Sequence, residues 1–175
     1  MSPRSPSFKL HVFAEPTSMS VLLQYAPTVR RALFVDGVPQ GFIGRRYVVD
    51  SSVTLFKQRS ELILQFGTSG LSNPVGIEIA TGHVVKIMNA RSFPLIFVNA
   101  SVEQFTETVK EMLNRFPYYS RLESDKKAEA VGTELLETIR RIDAEAALPD
   151  RYWSIFTDDV KIGDLSTEAV LGLDE

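Results

Sequence analysis

The hydrophobic period of this chain changes just after Val98 and stays helical from there, and that change restricts the fold more than any single motif. Before it, apolar residues come in short runs or alternate, as in "FKLHVF" (Phe8–Phe13), where Phe8, Leu10 and Val12 share one face of an expected half-buried strand. After it, Val102, Phe105, Val109, Met112, Leu113 and Phe116 follow the three-and-four spacing of an amphipathic helix, which Pro117 ends. Strands first and helices last predict an α+β fold. A largely antiparallel central sheet should carry an N-terminal helix and C-terminal helices packed on it.

The punctuation of the chain refines this picture. "PTSMSVLLQYAPTVRRALFVDGVP" reads as helix, interrupted near Pro27 and stopped by Gly37 and Pro39. "RRYVVDSSVTLF" and "ELILQF" read as strands, the second closed by a "GTSG" loop, and "VGIEIATGHVVKIM" as a hairpin turning at Ala80-Thr81-Gly82. "FPLIFVN" is a further strand with Pro94 at its start. At the change of period, Ser101 and Gln104 fit a capping box, and Glu103 and Glu107 lie where the helix dipole favours them. A second helix is expected from Ser124 to Ile142, with Ala128, Val131, Leu135, Leu136, Ile139 and Ile142 as its stripe. A third is expected to start at an Asp150 cap and to bury Trp153, Phe156 and Val160. We expect one domain over residues 1–175, with its core at about 8–165 and an acidic tail from 166 to 175.

Composition excludes several chemistries. With no cysteine among 175 residues, disulfides, thiolate catalysis and cysteine metal sites are all ruled out. No stretch reads as a signal peptide or membrane span, so the expectation is a cytoplasmic protein with no membrane partner. That context argues against reading Asn99-Ala100-Ser101 as a glycosylation acceptor. The net charge of −3 hides an asymmetry: residues 1–100 carry 10 Lys/Arg against 5 Asp/Glu (+5), and residues 101–175 carry 9 against 17 (−8). An acidic half of this kind is either a solvated helical face or a surface for a basic partner.

No constellation of catalytic residues emerges. His11 and His83 stand alone in strand-like segments, without the paired spacing a metal requires. Ser101 follows a strand and opens a helix but lacks the flanking glycines of a nucleophile elbow, so a cap explains it better. "GTSGLSNPVG" lacks the Gly-Lys-Ser/Thr ending of a phosphate loop and reads as a surface loop. Asp50 and Glu78 could form an acid–base pair only if the fold joined them. The doublets Arg30-Arg31 and Arg45-Arg46 lack interleaved aromatics, which argues against direct nucleic-acid binding. Asp158, Asp159 and Asp164 do not form a calcium loop. No cofactor is expected, and the balance favours a protein that is not an enzyme.

One resemblance covers roughly residues 28–165. "IATGHVVKIMNARSFPLIFVNASVEQFTETV", a charged helix, and then "IRRIDAEAALPDRYWSIFTDDVKIG" resemble the SUKH superfamily, most closely its fourth family. The carrying positions are Thr81 and Gly82, then Phe97-Val98-Asn99, Ser101 and Phe105, then Ile142, Asp143, Leu148, Trp153 and Gly163. Upstream, "VRRALFVDGVP" is similar through Arg31, Leu33, Gly37, Val38 and Pro39, although Ala32 stands where that family has an aromatic. The resemblance implies a SUKH-like fold and an immunity role in a bacterial polymorphic toxin system. Its partner would be a cognate protein toxin domain, a nuclease or deaminase, neutralised by occlusion without catalytic residues. An acidic surface would suit a basic nuclease, which places the expected contact at Asp158, Asp159, Asp164 and Glu168. The alternative is a SUKH-like regulatory scaffold for a non-toxin cellular protein.

Overall fold

The computed structural model describes residues 8–24, 26–43, 46–70, 72–88 and 95–171. Near the N-terminus, β1 (Leu10–His11) pairs antiparallel with β2 (Val38–Pro39). Between them lie a 3-10 turn (Thr17–Met19), α1 (Ser20–Leu23), α2 (Pro27–Arg31) and a wide π turn over Ala32–Asp36. Pro27 is the first residue of α2, where its missing N–H costs nothing. Gly37 then leaves the helix at φ +86°; a Cβ there would lie 2.9 Å from the His11 carbonyl oxygen.

The main sheet is an antiparallel meander of six strands in sequence order: β3 (Gly41–Phe42), β4 (Tyr47–Gln58), β5 (Glu61–Ser69), β6 (Asn73–Glu78), β7 (Val84–Lys86) and β8 (Ile96–Asn99). Register shifts between Val49 and Thr54, and between Gln65 and Gly67, mark bulges that bend the long central strands. Gly82, at φ +78°, supplies the positive φ of the β6–β7 connection, as its sequence predicted. The helical layer follows as α3 (Val102–Asn114), α4 (Ser124–Ile142), α5 (Tyr152–Lys161) and α6 (Thr167–Leu171).

A single main core joins the two layers, from Phe13 to Leu165 in sequence. Its centre is aromatic: Tyr47 stands edge-on to Phe105 at 5.2 Å, and Trp153 packs edge-on to Phe156 at 5.7 Å and to Phe42 at 5.3 Å. The α4–α5 contact is close because Gly132 faces α5; a Cβ there would lie 2.8 Å from the Thr157 carbonyl oxygen. That approach explains why the buried stripe of α4 is Ala128, Gly132, Leu135, Thr138 and Ile139, while Val131, Leu136 and Ile142 sit at its margin.

The α+β architecture, the antiparallel sheet and the helical layer are as the period change predicted. Several local expectations are corrected. In Phe8–Phe13 the strand is only two residues long, and Leu10 and Val12 are exposed while Phe13 is buried, because Phe13 N–H donates to the Leu33 carbonyl and turns inward. "GTSGLSNPVG" is largely strand: Gly67 belongs to β5 and Gly76 to β6, each pressed against a neighbouring strand that leaves no room for a Cβ. Asp150 does not cap α5; it has φ +63°, and Arg151 occupies the cap position without a side-chain cap bond. The expected tail packs down in part, with Ser166 buried and Thr167 N–H bonded to the Tyr119 carbonyl at 2.9 Å. Pro94 lies outside the described residues.

Candidate functional site

The stretch from Asn99 to Gln104 joins β8 to α3 and is built of polar groups that satisfy one another. Ser101 caps α3, its Oγ accepting from the Gln104 N–H at 3.1 Å, as expected. The reciprocal half of the box does not form. The Gln104 Nε2 instead donates to the Ile142 carbonyl at 3.0 Å, so the side chain that should close one helix start finishes the end of another. Asn99 is fully buried. Its Nδ2 donates to Asp143 Oδ2 at 3.1 Å, and its Oδ1 accepts from the Trp153 indole N–H at 2.8 Å. Asp143, also buried, further accepts from the Ala100 N–H at 2.8 Å and from the Ala146 N–H at 3.3 Å. Strand β8, helix α3, the end of α4 and the start of α5 are thus tied at one point. The buried carboxylate is held by three N–H donors rather than by a cation. This is anchoring, not chemistry: each of these groups is engaged by protein.

A second buried polar group closes the other end of the sheet. Tyr152 donates its hydroxyl to the Arg46 carbonyl at 2.8 Å, and burial pushes its pKa up to about 12. Lys86 stands over the Tyr152 ring at 5.5 Å; burial and, less strongly, the nearby Arg46 guanidinium hold its pKa below the usual lysine value. Burial, reinforced by the Asp50 carboxylate, raises the Tyr47 hydroxyl well above the usual phenol range.

The residues expected to meet a partner have mixed positions. Asp158 is exposed and pairs with Lys161 at 2.9 Å. Asp159 is turned inward, bonded to Arg46 at 2.6 Å, where it fixes the β3–β4 connection to α5. Glu168 accepts from the Arg121 N–H at 2.8 Å. Asp164 is exposed in the turn after α5. All four lie on α5, α6 and the turn between them, but two of the carboxylates also hold the fold together. Asp50 accepts from Gln65 and Glu78 from Thr81, and no contact joins this pair of acids. Arg30 and Arg31 pair with Glu15 and Asp36. His83 stands edge-on to Phe97 and His11 to Phe13. Among the described residues, no group of acidic and histidine side chains could hold a metal ion. Also among the described residues, no helix is long and apolar enough to cross a membrane.

Sequence reasoning did not foresee a groove of about 1000 Å³. Its floor is the β6–β7 connection, Ile79 to Gly82. One wall is the first turns of α3, with Glu103, Glu107 and Lys110; the other is α2 and the strand ahead of it, with Leu10, Pro27 and Arg31. Five positions of the motif series, Arg31, Gly37, Thr81, Gly82 and Ser101, border it. The signal was present only as scattered pieces, because the groove is assembled from segments far apart in sequence.

Comparison with known proteins agrees with this architecture. The SUKH-4 immunity protein family matches residues 22–159, which takes in the sheet, the Asn99 junction and nearly all of α5. The chain belongs to that family. No curated protein and no solved structure matches it.

Proposed function

We propose that this protein is a cytoplasmic immunity protein of a bacterial polymorphic toxin system. It binds a cognate toxin domain, a nuclease or deaminase, and neutralises it by covering its active site. The observation that carries this reading is family membership over residues 22–159. The site geometry is in keeping with binding: the buried polar groups at Asn99 and Asp143 serve the fold, and the open surface offers a groove with charged walls. The test is co-expression with the toxin domain encoded beside the gene. Survival that depends on this chain, with co-purification of the pair, is the expected result; toxicity despite the chain, or no complex, refutes it.

The acidic end formed by Asp158, Asp159, Asp164 and Glu168 has a narrower part in this reading. It speeds the encounter with a basic toxin through its field. Because Asp159 is tied to Arg46, the informative variant is D158K with D164K, which leaves that ion pair intact. Association should slow, and more at low salt than at physiological salt; equal rates at both ionic strengths remove this surface from the account.

A further inference from the structure

Resting on the toxin-binding reading, we propose that the groove between α2, α3 and the β6–β7 connection is where the toxin docks. It takes an extended apolar segment that carries a basic side chain. Strand register supplies an apolar track. Leu55, Leu64 and Ile77 are direct neighbours across three strands, and Leu64 and Ile77 face the main core. Two residues further along, Leu62 and Ile79 lie on that same face, joined by the Ile79 N–H bond to the Leu62 carbonyl. Here the helical layer ends: Leu55 and Leu62 are 39% and 38% exposed, and Ile79 leads from them into the groove floor. The inner face of the sheet therefore continues past its helical cover as an apolar ledge, and the groove is its end.

The charge of the occupant follows from the walls. Arg31, on the α2 side, is already paired with Asp36. Across from it, Glu103 and Glu107 are exposed on successive turns of α3, and neither has an ion-pair partner among the described residues. Lys110 lies one turn further on, so the wall keeps one carboxylate in excess. An apolar track ending at an uncompensated acidic wall is complementary to an extended segment with apolar residues and one Lys or Arg.

The experiment measures binding of the full chain to the adjacent toxin domain by calorimetry and by association and dissociation rates. Ala80 is exposed on the groove floor, so A80R fills the groove without disturbing the core. E103K with E107K reverses the wall. Each should weaken binding by about 100-fold or more, chiefly through faster dissociation. A toxin variant with one surface Lys or Arg changed to Glu should recover binding to the reversed wall. Wild-type affinity in both groove variants, while the unaltered chain still binds, overturns the groove and leaves the immunity reading standing. No binding by the unaltered chain overturns both. If A80R instead converts a dimer to a monomer on sedimentation and toxin affinity is unchanged, the groove is a contact between copies and the proposal fails.

Discussion

The two sides of the β8–α3 turn are treated in opposite ways. On its inner side, Asn99, Asp143 and Trp153 form a network in which Asn99 meets partners 44 and 54 residues along the chain. On its outer side, two turns of α3 present Glu103 and Glu107 to a groove without neutralising them. Ser101 belongs to both sides, capping the helix and bordering the groove. The difference separates what a polar residue does for folding from what it leaves for a partner. A buried group must be satisfied within the chain because it has lost water, whereas an exposed one can wait.

The inner side of the turn depends most on Asp143. Replacing it with Ala strands the Asn99 amide and the Ala100 and Ala146 N–H groups, so unfolding stability should fall by about 3 kcal/mol or more. Urea denaturation measures this, and a loss under about 1 kcal/mol would show that the junction does not bind the two layers.

Next in size is a pH effect at Tyr152. Its pKa is raised to about 12 in the fold, against an ordinary value near 10. Between those values the unfolded chain gives up the proton while the folded chain keeps it, so the unfolded state binds fewer protons and stability falls as pH rises. The stabilisation present below about pH 10 should decline by roughly 2 kcal/mol as pH approaches about 12. Denaturant midpoints at about pH 9 and about pH 12 should show the loss, reduced in Y152F. An identical pH dependence in Y152F would mean the hydroxyl is not sealed as its bond to Arg46 indicates.

Ser101 lies on the boundary and should show an intermediate effect. S101A removes the oxygen that receives the Gln104 N–H, which should cost about 1 kcal/mol in thermal or chemical unfolding. Unchanged stability would mean that the second bond of Gln104, to Ile142, is enough to hold the helix start.

What could be read from sequence follows the same division. Local features were legible: the period of α3 and α4, the helical break near Pro27, Gly82 in a connection and Ser101 as a cap all depend on residues within one turn of each other. The purpose of Asn99 was not, because its two shortest bonds reach residues 44 and 54 positions away and no periodicity announces them. The bonding of Asp159 to Arg46, 113 residues distant, was hidden for the same reason, and so a residue expected at the surface belongs to the scaffold. The groove is the extreme case, since its floor and walls come from three separate parts of the chain.

The smallest expected effect is at Glu103 and Glu107, on the outer side of the turn. If Glu107 serves no contact inside the protein, E107Q should change unfolding stability by less than about 0.5 kcal/mol, and E103Q by only the few tenths that the helix dipole provides. The Asp143 and Glu107 side chains are both carboxylates at the same junction, one buried and bonded, the other exposed on the groove wall. A protein that kept its stability in E107Q but lost toxin affinity would show that the exposed carboxylate is held for a partner. If E107Q cost as much stability as S101A, the outer side of the turn would be structural too, and the contrast would disappear. Stability and affinity therefore have to be measured on the same variant, because only a difference between the two assigns the residue.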